Sequence, residues 1–163
     1  MTLQTGAPKA GYSFTELTND DLQFFSEVRN SAVAFLHDPR EFTLAETEEW
    51  FEKGTNVKYY IVWLSEQRVG YFRTRVTGES SWEVGADLHL SFRGFGLAKS
   101  MYREFATEIL ASNHVHVCTL RVLRSNSRAI SLYKDLGFRT TEETSMDLAM
   151  SVDVSFLIQP QHS

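Results

Sequence analysis

The sequence predicts an α+β fold in which helices flank a mixed, mostly antiparallel central sheet. Three observations support this prediction. In the middle of the chain, three strand-like segments follow one another through short turns, which is typical of an antiparallel meander. Helical and strand-like segments alternate after the meander, which requires crossover connections. Two helical segments also separate the first strand from the meander, so we expect strands to pair both as neighbours and through crossovers.

The first part of the chain predicts one strand and two helices. The strand is YSFTEL, and the helix after it can be capped by Thr18 or Asn19, with two aspartates in its first turn. The second helix begins at a capping box in which Thr43 is followed three residues later by Glu46. Both helices therefore have a start signal in the sequence.

The meander and the second half of the chain supply the remaining elements. β-Branched and aromatic residues predict the meander strands VKYYIVWL, VGYFRTRV and WEVGADLHL. An amphipathic pattern predicts a helix in LAKSMYREFATEIL, and SRAISLYKDL predicts a second helix that Gly137 closes. Strands are predicted in VHVCTLRVL, FRTTEETSMDLAM and VDVSFLI.

Composition limits the function classes. The chain has 163 residues, 42% of them hydrophobic and 23% charged, which is ordinary for a globular protein of one domain. A formal net charge of -5 argues against binding to nucleic acid or anionic membrane, and mildly favours a cationic substrate. We expect one domain over residues 11–158, with tails at 1–10 and 159–163. The single cysteine, and an N-terminus without a secretory signal, predict a cytoplasmic protein.

The stretch SFRGFGLAKS places two glycines where a strand leads into a helix. Gly94 and Gly96 allow positive φ and remove the Cβ atoms that would keep a ligand away. Several main-chain N–H groups and the N-terminal dipole of the helix can then face one anion, with Arg93 and Lys99 beside it. The stretch therefore favours a diphosphate site, although a plain strand-to-helix turn without a ligand remains an alternative.

Two other phosphate-binding motifs do not fit this stretch. A P-loop would need glycine at the positions of Arg93 and Ala98. A dinucleotide-binding fold would need glycine at Lys99 and a βαβ unit, whereas a meander precedes the turn.

Two segments resemble one family. Arg93–Ala98 matches the (Q/R)-x-x-G-x-(G/A) signature of the GNAT acetyltransferase superfamily, and Asn126–Phe138 is similar to its N-x-x-A-x-x-L-Y-x-x-x-G-F segment. The resemblance extends from about Tyr12 to the end of the chain. It implies the GNAT fold and an acetyl-CoA-dependent N-acetyltransferase, with acetyl-CoA as cosubstrate and no metal.

The resemblance also implies how acetyl-CoA is held. The pyrophosphate is expected in the loop at Arg93–Ala98, and the pantetheine arm is expected to pair with backbone groups on the edge of the fourth strand. The cofactor-binding residues expected from it are Leu88, His89, Leu90, Arg93, Gly94, Phe95, Gly96, Leu97, Ala98, Lys99 and Asn126. Asn126 is equally well explained as the N-cap of the following helix.

Tyr133 is the expected proton donor to the departing thiolate, because the family commonly places a tyrosine of this segment near the thioester sulfur. A core aromatic with its hydroxyl at the edge is the alternative. The sequence offers several candidates for the general base, because Glu83, Asp87 and His89 share one side of an unbroken strand. Glu83 is the first candidate, Asp87 the second, and a water relay the third. Arg121 stands where some protein-modifying members keep a glutamate.

His114, His116 and Cys118 alternate in a way that resembles a metal site. We expect no metal there, because the sequence clusters no further ligands with them, and we interpret both histidines as strand-edge residues. Cys118 lies mid-strand in an apolar run, so it is not expected to carry an acyl group.

The acceptor is expected to be the primary amine of a small molecule, such as an amino sugar, attacking the thioester directly in a ternary complex. A nucleotide sugar could use Arg29, Arg40 or Arg73. The alternatives are a protein N-terminal amine or lysine, and a non-catalytic acyl-CoA-binding module; a homodimer is also left open. The region that shapes the acceptor side is rich in aromatic residues, namely Phe24, Phe25, Phe35, Trp50, Phe51, Tyr59, Tyr60 and Trp63.

Overall fold

The computed structural model describes residues 11–158, except residues 34, 35, 37, 39 and 55. The predicted tails and Phe35 lie outside the described residues. The strands are β1 Tyr12–Glu16, β2 Lys58–Leu64, β3 Gln67–Gly78, β4 Ser81–Leu88, β5 Val117–Leu123, β6 Arg139–Glu143 and β7 Asp147–Asp153. The helices are α1 Leu22–Ser31, α2 Leu44–Lys53, α3 Ala98–Phe105, α4 Ser127–Asp135 and α5 Val154–Leu157.

The seven strands form one sheet in the order β1-β2-β3-β4-β5-β7-β6. Within the described residues, β4 and β5 form the only parallel pair, and all other neighbours are antiparallel. The predicted α+β class with a mixed, mostly antiparallel sheet is confirmed. The connection from β4 to β5 runs through α3, which continues in a π-helical turn and a 3-10 turn up to Asn113.

The parallel pair is short, and this positions the site. β4 and β5 pair at Ser81–Val117, Trp82–Cys118 and Glu83–Thr119. Beyond Glu83, β4 has no β5 partner in the described part of the chain. Because main-chain groups in a sheet normally find partners on both sides, the rest of β4 presents an unpaired edge in a wedge between the two strands.

Capping boxes stand at the start of the first two helical segments, the first at the 3-10 turn Asn19–Asp21 that leads into α1 and the second at α2. Thr18 and Asp21 form a capping box before α1, in which the Thr18 N–H donates to the Asp21 carboxylate over 2.8 Å. The predicted box before α2 is also present, with the Thr43 N–H 2.8 Å from Glu46 Oε1 and the Glu46 N–H 3.1 Å from Thr43 Oγ1. The aspartate, glutamate and threonine side chains thus satisfy amides that a helix leaves without partners.

Apolar side chains pack on both faces of the sheet. The larger cluster includes Phe72 and Phe105, whose rings stack at 3.9 Å under α3. The smaller cluster lies under α1 and α2, and its buried members are Phe25, Val28, Ile61 and Tyr71. Burial on both faces holds the sheet rigid on either side of the wedge.

The C-terminal segments differ from the prediction. FRTTEETSMDLAM is interrupted after Glu143, so it contributes to both β6 and β7. VDVSFLI was predicted as a strand, but only its first two residues belong to β7, and Val154–Leu157 form α5. Val154 and Leu157 are both buried and lie three residues apart. This spacing puts them on one face of a helical turn, whereas in a strand they would point to opposite faces.

Candidate functional site

The loop between β4 and α3 has the conformation that the glycines predicted. Gly94 has φ +84° and Gly96 has φ +72°, and no heavy atom lies within 4 Å of a Cβ built at either residue. α3 begins directly afterwards at Ala98. Open space above the glycines, next to the N-terminus of a helix, gives a concave main-chain surface suited to an anion.

Two basic side chains beside the loop are engaged in protein contacts. Arg93 donates from Nε to the Leu88 carbonyl oxygen over 3.0 Å and from Nη2 to Ser31 Oγ over 3.1 Å. Lys99 Nζ lies 3.5 Å from Asp135 Oδ2. Arg93 therefore ties the loop to β4 and to the end of α1, and the main-chain amides remain the principal groups that face the open space.

The structure corrects the predicted strand edge. β4 ends at Leu88, and Leu90–Phe92 form a 3-10 turn, so His89 and Leu90 lie beyond the strand. The His89 N–H donates to the Val69 carbonyl oxygen of β3 over 2.8 Å. Since successive residues of a strand point their N–H groups to opposite edges, the Leu88 N–H faces the wedge. Of the three predicted edge residues, Leu88 alone keeps the predicted geometry.

A cavity of about 780 Å³ opens at the wedge, between the sheet and α1 and α2. Its floor is a grid of cross-strand neighbours on β3 and β4: Tyr71 opposite Asp87, Arg73 opposite Gly85, and Arg75 opposite Glu83. Asn126 and Tyr133 also line the cavity. The wedge thus connects the α4 side of the sheet with the α1 and α2 side.

Glu83, the first candidate for the base, is held by two arginines. Its Oε1 lies 2.8 Å from Arg75 Nη2 and 3.9 Å from Arg73 Nη1. An ion pair of this kind stabilises the charged carboxylate and occupies one of its oxygens. Whether Glu83 acts as the base remains a prediction.

Asp87 has a different environment. Burial raises the pKa of Asp87 to about 6, against the lowering effects of a hydrogen bond with Tyr71 and of the Arg93 and Arg29 guanidinium groups. A carboxyl group with this pKa is mostly ionised at pH 7 and can still accept a proton. His89, the third residue of the predicted set, stacks on Phe24 at 5.5 Å and lies 3.4 Å from Glu27 instead.

Tyr133 packs edge-on against Phe138 and Tyr102. The Tyr102 hydroxyl donates to the Tyr133 hydroxyl over 3.4 Å, which leaves the proton of Tyr133 available for another acceptor. Burial raises the pKa of Tyr133, so the phenol stays protonated near neutral pH. Both the packing role and the donor role are compatible with this geometry.

The family model for the acetyltransferase (GNAT) domain matches residues 13–139. This chain belongs to that family. It is an acetyl-CoA-dependent N-acetyltransferase, as the two sequence segments predicted, and acetyl-CoA is its cosubstrate. No curated protein sequence matches the chain.

Solved structures share this GNAT fold. A spermidine N-acetyltransferase from Vibrio cholerae, in complex with CoA and spermine, has a TM-score of 0.80 at 17% identity, and the match covers 93% of this chain and 100% of the other. A domain from Methanocaldococcus jannaschii DSM 2661 has a TM-score of 0.75 at 19% identity, covering 89% and 99%. An N-acetyltransferase from Staphylococcus aureus Mu50 has a TM-score of 0.69 at 16% identity, covering 88% and 99%.

Asn126 caps α4 in this GNAT domain, since its Oδ1 accepts from the Ala129 N–H over 3.3 Å. The predicted cap is confirmed, and a contact with the cosubstrate stays a prediction. Burial raises the pKa of Cys118 to about 12, so its thiol is a poor nucleophile, as expected.

The histidines near Cys118 do not lie on a strand. β5 begins at Val117, and His114 has φ +59° at the end of the preceding 3-10 turn, so the strand-edge prediction for His114 and His116 is corrected. The described residues contain no group of three or more His, Cys, Asp and Glu side chains arranged for a metal ion. None of the described helices has the length and apolar character of a membrane span.

Sequence reasoning missed three residues of this site. Tyr102 supports Tyr133, Tyr71 binds Asp87, and Gly85 leaves open space in the cavity floor. The glycine within an otherwise alternating strand was the available signal, because such a glycine often marks a close approach of a ligand. The two tyrosines had no such signal, since their spacing is that of ordinary core residues.

Proposed function

We propose that this enzyme transfers the acetyl group of acetyl-CoA to the primary amine of a small molecule by direct attack in a ternary complex. The observation that carries the proposal is the cavity of about 780 Å³, which brings a carboxyl group of raised pKa and the Tyr133 hydroxyl to the place where β4 and β5 separate. The V. cholerae structure supports a small amine as acceptor, since it is a spermidine N-acetyltransferase in complex with CoA and spermine.

In this proposal the main-chain amides of residues 94–97 hold the pyrophosphate of acetyl-CoA, and Arg93 keeps the loop in place through Leu88 and Ser31. The pantetheine arm fills the wedge and pairs with the free edge of β4, whose Leu88 N–H faces the wedge. Asn126 lies along the α4 side of the same wedge. Holding the thioester against the acceptor then supplies much of the acceleration.

Asp87 is the base that this geometry supports best. It lies half-buried on the cavity floor with its pKa raised to about 6, whereas two arginines already hold the Glu83 carboxylate. The ammonium group of the acceptor loses its proton toward Asp87, the free amine attacks the thioester carbonyl, and the C–S bond breaks. Tyr133 gives its proton to the departing thiolate, so CoA leaves as the thiol. The amide nitrogen loses its extra proton, which restores the Tyr133 phenol through solvent, and Asp87 releases the first proton to solvent.

The experiment is a thiol-release assay with the full chain, acetyl-CoA and a panel of primary amines, with mass spectrometry of the product. Acetylation of at least one small amine, at a rate well above the hydrolysis of acetyl-CoA, is expected. Thiol release only with peptides that carry a free N-terminus or lysine would replace the small-molecule acceptor with a protein. An enzyme that binds acetyl-CoA but releases no thiol with any amine would contradict the proposal.

A further inference from the structure

The cavity wall brings several arginines together, although the chain as a whole has a net charge of -5. Five arginines line it: Arg29, Arg40, Arg73, Arg75 and Arg121. Four carboxyl groups line it as well: Asp38, Glu46, Glu83 and Asp87. The charge that an acceptor meets inside the cavity therefore depends on which of these arginines are already paired with a carboxylate, because local charge governs binding at short range.

Carboxylates neutralise three of these arginines directly. The pairs, each at 3.1 Å or closer, are Arg40 with Asp38, Arg75 with Glu83, and Arg121 with both Asp147 and Glu142. These three arginines have their strongest electrostatic partner within the protein already.

Arg29 and Arg73 are placed differently. Arg29 donates to two neutral acceptors, the main-chain carbonyl oxygens of Arg40 and Asp38, over 2.6 and 3.0 Å. Arg73 Nη1 is 3.9 Å from Glu83 Oε1, and that same oxygen is 2.8 Å from Arg75. One carboxylate shared by two guanidinium groups leaves a net positive charge at Arg73.

Arg73 also faces the empty part of the cavity. Its cross-strand neighbours on the floor are Tyr59 on β2 and Gly85 on β4. No heavy atom lies within 4 Å of a Cβ built at Gly85, so the space beside the guanidinium is open. Arg73 donates a hydrogen bond to the Tyr59 hydroxyl. Its side chain keeps 41% of its surface exposed, so the other donors of the guanidinium are accessible to a ligand.

We propose that the acceptor is a primary amine that also carries an oxyanion, either a carboxylate or a phosphate, and that this oxyanion binds Arg73 with Arg29 nearby. This inference rests on the function proposed above. Guanidinium groups bind carboxylate and phosphate oxygens through charge-assisted hydrogen bonds, commonly in pairs. A polycation such as spermidine would instead place its second ammonium group beside the guanidinium of Arg73.

The two proposed contact residues lie on neighbouring strands of the cavity floor. Arg73 and Asp87 occupy diagonal positions on adjacent strands, because Arg73 is opposite Gly85 and Asp87 is two residues further along β4. Diagonal positions of this kind are about 7–8 Å apart. An amine that loses its proton to Asp87 and an oxyanion that binds Arg73 can therefore belong to one small molecule that lies along the cavity floor.

The test compares matched acceptors that differ in one negative charge. β-Alanine with β-alaninamide tests a carboxylate, O-phosphoethanolamine with ethanolamine tests a phosphate, and spermidine serves as the polycation. We expect kcat/KM for one acidic member to exceed that of its uncharged counterpart by at least tenfold, and the preference to weaken as salt is added. Which pair shows it identifies the oxyanion.

Arg73→Gln keeps the length and donors of the side chain but removes its charge, and Glu83 retains Arg75 as its partner. The ratio of kcat/KM for the acidic and uncharged amines should fall by roughly 10- to 100-fold, as loss of a charge-assisted contact implies. Arg124→Gln makes the same change outside the cavity, where Arg124 pairs with Glu143, and should leave the ratio as in the unmodified enzyme.

The oxyanion proposal would be overturned if spermidine or the uncharged amines had the same kcat/KM as both acidic amines. The proposed acetyl transfer would not be affected by that result. An unchanged ratio in Arg73→Gln would also overturn the oxyanion proposal. If no amine releases thiol, the proposed function fails. The oxyanion site is then tested separately by binding, through the melting temperature of the enzyme with CoA and each acidic amine added. A rise that Arg73→Gln abolishes supports the site, and its absence overturns it.

Discussion

At the level of single residues, the proposed chemistry depends on two tyrosine hydroxyls and one carboxyl group. Tyr102 donates to Tyr133, so the proton of Tyr133 is the one that remains free for a leaving group. Burial raises the pKa of both phenols, which keeps them protonated at the pH at which an amine reacts. Tyr102 is thus a positioning residue, and Tyr133 is the group that faces the cavity.

Tyr133→Phe should lower kcat by roughly 10- to 100-fold while the Michaelis constant for acetyl-CoA stays nearly unchanged, because the ring keeps its packing and loses the proton. Steady-state kinetics with a fixed acceptor measure both constants. Tyr102→Phe is the comparison, with a smaller loss of kcat, because it removes only the hydrogen bond that orients Tyr133. Equal turnover in Tyr133→Phe would limit Tyr133 to packing.

Tyr133 and Asn126 could be predicted because both lie in one contiguous helical segment whose spacing is visible in the sequence. Gly85 and Tyr71 could not be assigned to the site in this way. Their role depends on cross-strand neighbours, Arg73 for Gly85 and Asp87 for Tyr71, and register is a property of the folded sheet.

At the level of elements, the loop before α3 and the free edge of β4 form the surface that we propose binds acetyl-CoA. The two positive φ angles at Gly94 and Gly96 turn the chain out of the strand and into the helix. A side chain at either position would stand in the space that faces the helix N-terminus. This surface is therefore open because Gly94 and Gly96 have no Cβ atoms.

Gly96→Val should weaken CoA binding by at least tenfold, since the new side chain fills the approach to the main-chain amides. Isothermal titration calorimetry with CoA measures the affinity. Gly54→Val is the matched control, because Gly54 also has a positive φ, of +80°, and open space around its Cβ position, but ends α2. Both variants should lose stability through backbone strain, and an equal loss of CoA affinity in both would remove the loop assignment.

Gly85→Ala tests the floor of the cavity. Its backbone is ordinary strand and its Cβ would touch nothing, so the melting temperature should be unchanged or slightly higher. The Michaelis constant for the acceptor should rise several-fold, because a methyl group enters the space beside Arg73. Gly78→Ala, whose nearest neighbour would be Ser81 Cβ at 3.6 Å, is the control in β3. A normal Michaelis constant in Gly85→Ala would place the acceptor elsewhere.

The order of elements could be predicted since caps, turns and alternation are local signals, and the capping boxes at Thr18 and Thr43 show this. The length of the β4–β5 pairing could not be predicted from the sequence. Residues 84–88 alternate like any core strand, and whether a partner reaches them depends on where α3 returns the chain. α5 was missed for a related reason, because packing of Val154 and Leu157 overrides the alternation.

At the level of the whole molecule, the wedge places a carboxyl group where folding would prefer an apolar one. The pKa of Asp87 is about 6 in the folded chain, above the 3.8 of an exposed aspartate, so the folded state binds this proton more tightly than the unfolded state. The free energy of unfolding therefore falls as pH rises from about 4 to about 6, and the cost is fully present above pH 6. A two-unit shift corresponds to roughly 2–3 kcal/mol.

Asp87→Asn should remove that cost, because the amide has nearly the same shape, can accept from Tyr71 and does not ionise. We expect its melting temperature to exceed that of the unmodified enzyme by several degrees at pH 8 and to match it near pH 4. Scanning calorimetry at both pH values measures this, with Glu52→Gln, an exposed carboxyl group on α2, as the control.

The same substitution should abolish most of the activity and the rise of kcat/KM with an apparent pKa near 6. Stability gained and activity lost in one variant would mean that the fold carries a buried charge for the sake of proton transfer, as enzymes often do at functional sites. A stabilised variant with full activity would exclude Asp87 as the base. Glu83 or a water relay would then be the candidate base, and Glu83→Gln distinguishes the two.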